Sequence, residues 1–218
     1  MSLLFANRAL IKAAASNAFV FTINTTLGTG SNIQLPLPSG QTYNFTVDWG
    51  DGNSDVITAY NQTETLHTYS AGGIYTISIS GKCGGWSFAN TGDKLKITSV
   101  VQGGSIGVDY LGGAFYGCSN LSSFNASGWD VSNVANFSSF LSGCTSLTIL
   151  NVSSWNVSSA TDFTSFAYGC TSLTTLDVSS WVTSSVLNFS WFVSACTSLT
   201  TLDVSSWNVS SATDFSYF

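Results

Sequence analysis

Cysteines at Cys118, Cys144, Cys170 and Cys196 stand 26 residues apart, and so do Trp129, Trp155, Trp181 and Trp207. The phrase CTSLTTLDVSSW occurs unchanged at residues 170–181 and 196–207. Aligned on this period, units begin AFYGCSNL at Ala114, FLSGCTSL at Phe140, FAYGCTSL at Phe166 and FVSACTSL at Phe192. No insertion separates the four, and Phe218 is the first residue of a fifth. A strict period between 20 and 50 residues predicts a solenoid, in which each unit buries its apolar face against its neighbours.

Within a unit, Leu173, Leu176 and Val178 form L-x-x-L-x-V ahead of Trp181, and Leu199, Leu202, Val204 and Trp207 repeat it. That spacing predicts one short strand per unit. Phe137, Phe163, Phe189 and Phe215 form a second inward column. The consensus F-x-x-C-T-S-L-T-x-L-D-V-S-S-W-N-V-S-x-A-T-D-F resembles the BspA-like leucine-rich repeats of microbial surface proteins, over Ala114 to Phe218. The usual aromatic or Met columns stand here mostly as Phe and Trp. The first unit departs slightly, with an extra glycine in DYLGGAFYGC.

Upstream the pattern changes. FVFTI and YNFTVDWGDG alternate apolar and polar residues at period two, Asp51-Gly52 is a turn signal, and HTYSAGGIYTISISG adds another turn and strand. VDWGDG (47–52) together with HTY…GIYTISI (67–79) resembles a PKD domain, which implies an immunoglobulin-like β-sandwich over roughly Phe19 to Gly81. KCGGWSFANTGDKLKITSVVQGG is glycine-rich and reads as a junction with a capping half-coil. The expected fold is therefore mainly β: an immunoglobulin-like β-sandwich followed by a leucine-rich-repeat-type solenoid of 26-residue coils. Its divisions are an N-terminal helical arm (1–17), the PKD-like sandwich (18–81), the junction and solenoid cap (82–113) and four repeats (114–218).

The arm, MSLLFANRALIKAAASNAF, carries no positive charge ahead of its apolar part, and Arg8 and Lys12 interrupt it. A secretory signal has the opposite order. Ser2 caps a short helix instead, with Leu3, Ala6, Leu10 and Ala14 on one face. Leu3, Leu4, Phe5, Leu10 and Ile11 are the anchoring candidates. No apolar run reaches the ~20 residues that span a bilayer. With net charge −6 and five Lys and Arg in all, the chain has no basic stripe to track phosphates, which excludes nucleic acid. Charged residues are only 7% of the whole, so polarity rests on Ser, Thr, Asn and Gly.

No metal or cofactor is expected. Stacked coils stand about 4.8 Å apart, so equivalent cysteines form a line, whereas zinc needs a tetrahedron. They read as buried free thiols, with Cys83 apart in the junction. Asp48, Asp51 and Asp55 lack EF-hand spacing and read as turn-shaping acids. His67 is the only histidine, and no nucleophile is spaced to use it, so no catalytic residue is expected. The binding candidate is the outward face of the repeat strands. If Leu176 and Val178 point inward, then Thr175, Asp177 and Ser179 point outward. Stacking extends this face to Asn125, Asn151, Thr201, Asp203 and Ser205.

Two surface-type modules, little charge and an apolar arm point to a non-enzymatic virion component, a phage decoration or fibre protein that reaches the exterior without secretion. The BspA-like resemblance implies the alternative, a bacterial cell-surface adhesin binding host proteins or glycans. Expected partners are other virion or surface subunits, meeting the arm or the open last coil, and a host-surface protein or glycan. The expected location is the virion surface or the cell exterior.

Overall fold

The computed structural model describes residues 17–218. The helical arm and its anchoring candidates Leu3, Leu4, Phe5, Leu10 and Ile11 lie outside the described residues.

FVFTIN forms β1 (Phe19–Asn24), and its first three side chains are all buried. A strand apolar on both faces belongs in the middle of a sheet. Accordingly β1 pairs antiparallel with β6 (Ile74–Cys83) on one side and with β7 (Ile97–Gln102) on the other. Beyond β6 come β3 (Tyr43–Asp48), whose alternation is strictly buried–exposed, and β4 (Ser54–Ile57). Short β2 (Asn32–Gln34) and β5 (Leu66–Thr68) pair antiparallel as a second sheet. In the repeats, β8 (Ser123–Asn125), β9 (Ile149–Asn151) and β10 (Thr175–Asp177) add to β7 in parallel. The main sheet therefore has eight strands in the order β10-β9-β8-β7-β1-β6-β3-β4. A second column of parallel single bridges joins Asn136, Asp162, Asn188 and Asp214 in succession.

The expected fold class is corrected here. The halves are not a sandwich followed by a self-contained solenoid; they share one mixed sheet and one apolar core running from Phe19 to Cys196. The reason is β7. ITSVVQ lies in the segment read as a glycine-rich junction, yet it gives one edge to β1 and the other to β8. The repeats supply three-residue strands to an existing sheet, and Thr201–Asp203 forms no strand.

The repeat core is aromatic. Phe137, Phe163, Phe189 and Phe215 stack at 5.1, 6.0 and 5.2 Å, and Phe140, Phe166, Phe192 and Phe218 at 5.4, 5.3 and 5.5 Å. Tryptophans do not form one continuous column. Trp129 meets Trp155 at 6.0 Å and Trp181 meets Trp207 at 6.2 Å, but no ring contact joins Trp155 to Trp181. Two ring orientations account for the break. The Nε1 atoms of Trp181 and Trp207 donate to the carbonyls of Val152 and Val178, whereas those of Trp129 and Trp155 are buried without a protein acceptor. All five cysteines are free and buried, and Cys144, Cys170 and Cys196 each donate Sγ to a carbonyl in the preceding unit.

Hydrogen bonds between units impose an unusual backbone. The N–H groups of Gly113, Ser139, Ser165 and Trp191 donate to the carbonyls of Ser138, Thr164, Ser190 and Ser216, each at 2.7–2.9 Å. These four residues, and Tyr217 one unit on, all have φ between 53° and 64°. Glycine takes that conformation freely, whereas other residues bear about 1–2 kcal/mol. Trp191 and Tyr217 bear it with bulky rings. Their mutual stack at 4.1 Å returns about 0.5–1.5 kcal/mol for the pair.

Lys96 is buried with no exposed surface. Its Nζ donates to the carbonyls of Thr29 and Asn32 and to Asn32 Oδ1 at 2.7–2.9 Å, and pairs with Asp93 at 2.6 Å. Asp93 also accepts from the Gln34 N–H at 2.8 Å. This clamp ties the loop before β2 to the 3-10 turn Lys94–Lys96 that launches β7. Lys96→Ala strands Asp93 and both carbonyls, and its expected cost is about 3–5 kcal/mol. Urea unfolding measures it, and a loss under about 1 kcal/mol, typical of solvated pairs, would contradict the clamp.

Candidate functional site

Each repeat strand is buried at its centre and exposed at both ends, so Phe124, Leu150 and Leu176 point into the core. Parallel register then aligns the outward residues. Asn125 faces Asn151, Asn151 faces Asp177, and Ile149 faces Thr175. Between β7, β8 and β9 this face carries an open groove of about 430 Å³, lined by Val101, Ser123, Phe124, Asn125, Ile149 and Asn151 among others. A smaller hollow of about 170 Å³ adjoins it, sharing Phe124, Asn125 and Asn151 and reaching Ala126, Ser127 and Ser153.

Of the candidates read from sequence, Asn125 and Asn151 line the grooves. Thr175, Asp177, Ser179, Thr201, Asp203 and Ser205 continue the same rows outside them. Ile149 was not among the candidates although it is 58% exposed and lines the larger groove. The signal for it is in its column, which reads Ser123, Ile149, Thr175 and Thr201. One aliphatic residue stands at a position otherwise given to hydroxyls.

The Asn and Asp rows have a structural task. Oδ1 of Asn125, Asn151, Asp177 and Asp203 accepts the backbone N–H of Ser127, Ser153, Ser179 and Ser205, at 3.0–3.3 Å. Hydroxyls of the last three serines donate to the same oxygens at 2.7–2.9 Å. These are Asx-turns, which close the chain where it leaves each strand. A matching set at Asn136, Asp162, Asn188 and Asp214 serves the other column. Serine hydroxyl and amide donors hold the Asp203 carboxyl below the usual carboxylate range, and Ser216 does the same for Asp214.

The acids of DWGDGNSD are also engaged. Asp48 accepts from the Gly50 N–H at 2.9 Å, Asp51 from the Asn53 N–H at 3.0 Å, and Asp55 from Trp49 Nε1 at 2.8 Å. Gly50, at φ 79°, lies where a Cβ would fall 2.3 Å from the Thr76 carbonyl oxygen, so only glycine fits. His67 lies 2.8 Å from Asp51, stacked on Trp49 at 4.7 Å and edge-on to Tyr69 at 4.6 Å. Burial pushes the Cys83 thiol up to about 12 and that of Cys118 well above its ordinary value. Among the described residues no cluster of three His, Cys, Asp or Glu could hold a metal ion. Nor, among them, is any helix long and apolar enough to cross a membrane.

Residues 109–218 match a family model described as "Mycoplasma protein of unknown function, DUF285". That span is half of the chain and contains all four 26-residue units. No curated protein and no solved structure matches the chain.

Burial acts to raise the Asp51 carboxyl, but hydrogen bonds from His67 and Asn53 outweigh it and leave the group below the usual carboxylate range. A carboxyl depressed by folding stabilises the protein above its unfolded pKa and loses that effect as pH falls through the folded value. Wild type should therefore melt above Asp51→Asn from neutral pH down to about 5, and the difference should close below about pH 4, where unfolded aspartate itself protonates. Paired thermal melts across this range measure it. An undiminished gap at about pH 2, well below the pKa of unfolded aspartate, would sink the assignment.

Proposed function

The chain belongs to the DUF285 family, whose description assigns no activity, and we propose that it is a non-enzymatic recognition and structural protein displayed on an outer surface. The observation that carries this reading is the groove over β7–β9, an uncharged, partly apolar hollow on an otherwise hydroxyl- and amide-rich face. Ile149 and Val101 supply contact area, and the Asn151 side chain, whose Oδ1 is held by Ser153, supplies its Nδ2 as a directional donor. The acids of the repeat face are committed to turns and His67 to an aromatic packing site, which favours binding over catalysis.

Our first reading of the setting is a virion exterior. Val182 and Leu187 are exposed within the repeats and offer an apolar contact to a neighbouring subunit. The second reading is a cell-surface adhesin of the BspA-like type. It is favoured by the bacterial genus named in the family's description.

Gold-labelled antibody against the protein, viewed on intact particles and unbroken cells, is expected to mark the exterior; label confined to the cytoplasm overturns both settings. Ile149→Asp places an unpaired charge in the groove, which any docked ligand must desolvate at large cost. It is expected to weaken wild-type binding to immobilised extracellular proteins at least tenfold without lowering the melting temperature. Equal binding by the two proteins removes the groove from the interface.

A further inference from the structure

Lys96 holds a buried nucleophile that the groove does not use. Its side chain is 1% exposed, and four oxygens surround Nζ. They are the carbonyls of Thr29 and Asn32 at 2.7 and 2.8 Å, Asn32 Oδ1 at 2.9 Å and Asp93 Oδ1 at 2.6 Å. An ammonium has three N–H groups, so these acceptors compete for its protons. Asn32 opens β2, and Lys96 ends the turn before β7, 64 residues later. A carbonyl bond is about 1.23 Å long, which keeps Nζ within about 4.1 Å of Asn32 Cγ. An amine, a carboxamide carbon and a carboxylate able to carry protons between them are the parts of an acyl transfer.

We propose that Lys96 and Asn32 join in an isopeptide bond once the chain has folded, with Asp93 as the proton carrier. Asp93 takes a proton from the ammonium, which leaves both partners neutral, and neutral groups cost less to bury. The freed electron pair on Nζ attacks Asn32 Cγ, and the carbonyl pair moves onto Oδ1. Asp93 then delivers its proton to Nδ2, the carbonyl re-forms and the Cγ–Nδ2 bond breaks. The extra proton on Nζ passes to the released ammonia, which departs as ammonium. Its way out lies beside exposed Gly30, where a Cβ would fall 3.8 Å from Nδ2. No oxidant or co-reactant is consumed, and the reaction turns over once within the chain. The bond ties the start of β2 covalently to the base of β7, the strand through which the repeats join the rest of the sheet. It needs no ligand, so it stands or falls apart from the groove.

Intact-mass spectrometry of the full chain, folded and then denatured, tests the bond. Wild type should fall short of its sequence mass by one ammonia, about 17 Da, and its digest should contain one fragment carrying both Asn32 and Lys96. Lys96→Arg keeps the positive charge but lacks the amine, and should show the full sequence mass. Asp93→Asn should form the bond at least about a hundredfold more slowly, the scale of a lost general base. Folded wild type at full mass overturns the proposal. So does an equal loss in Lys96→Arg, which would mark cyclisation of an asparagine instead. If either variant fails to fold, the presence or absence of the joined fragment in wild type decides.

Discussion

One ladder of backbone hydrogen bonds between consecutive units recurs at an offset of 25 residues. Gly113, Phe115 and Gly117 donate to Ser138, Phe140 and Ser142, and the same three steps recur from Ser139, Leu141 and Gly143, then from Ser165, Ala167 and Gly169. Each interface is thus a copy of the one before it, and an inserted residue would break every bond on that side at once. The same ladder brings Phe163 over Phe137 and Phe166 over Phe140, so aromatic packing follows from backbone register. Side chains that leave the ladder for solvent are released from this constraint. The candidate binding groove arises at such a position, with Ile149 exposed on the strand column.

Low charge and good polar satisfaction have a common origin. An Asx-turn needs an oxygen at Oδ1, which asparagine and aspartate supply alike. Asn125, Asn151, Asp177 and Asp203 interchange in one row, and Asn136, Asp162, Asn188 and Asp214 in the other, because the acceptor matters and the charge does not. Rows that look like a binding array in sequence are in this respect the stitching of the turns.

The local chemistry of the repeats was legible because the period of 26 puts like residues at like positions: the inward Leu150 and Leu176, the outward Asn151 and Asp177 and the buried cysteines could all be assigned from spacing. The joining of the two halves was not. ITSVVQ has no glycine and alternates poorly, but it sits between GDKLK and QGG, and turn residues on both sides disguise a strand with partners on each edge. Lys96 was hidden for a different reason. Nothing in a sequence distinguishes a lysine that snorkels into water from one whose ammonium meets two carbonyls and an amide more than sixty residues away, beside the carboxylate of nearby Asp93. Trp191 and Tyr217 escaped notice because a left-handed φ is a property of the backbone, visible only once Gly113, Ser139 and Ser165 are found to share it.

The five thiols have a last consequence. Each is enclosed by packed side chains, and none is joined to another, so cohesion comes from stacked rings and backbone hydrogen bonds. A protein built this way owes nothing to the oxidation state of its surroundings. It can be assembled in a reducing interior and carried into an oxidising exterior without changing a covalent bond.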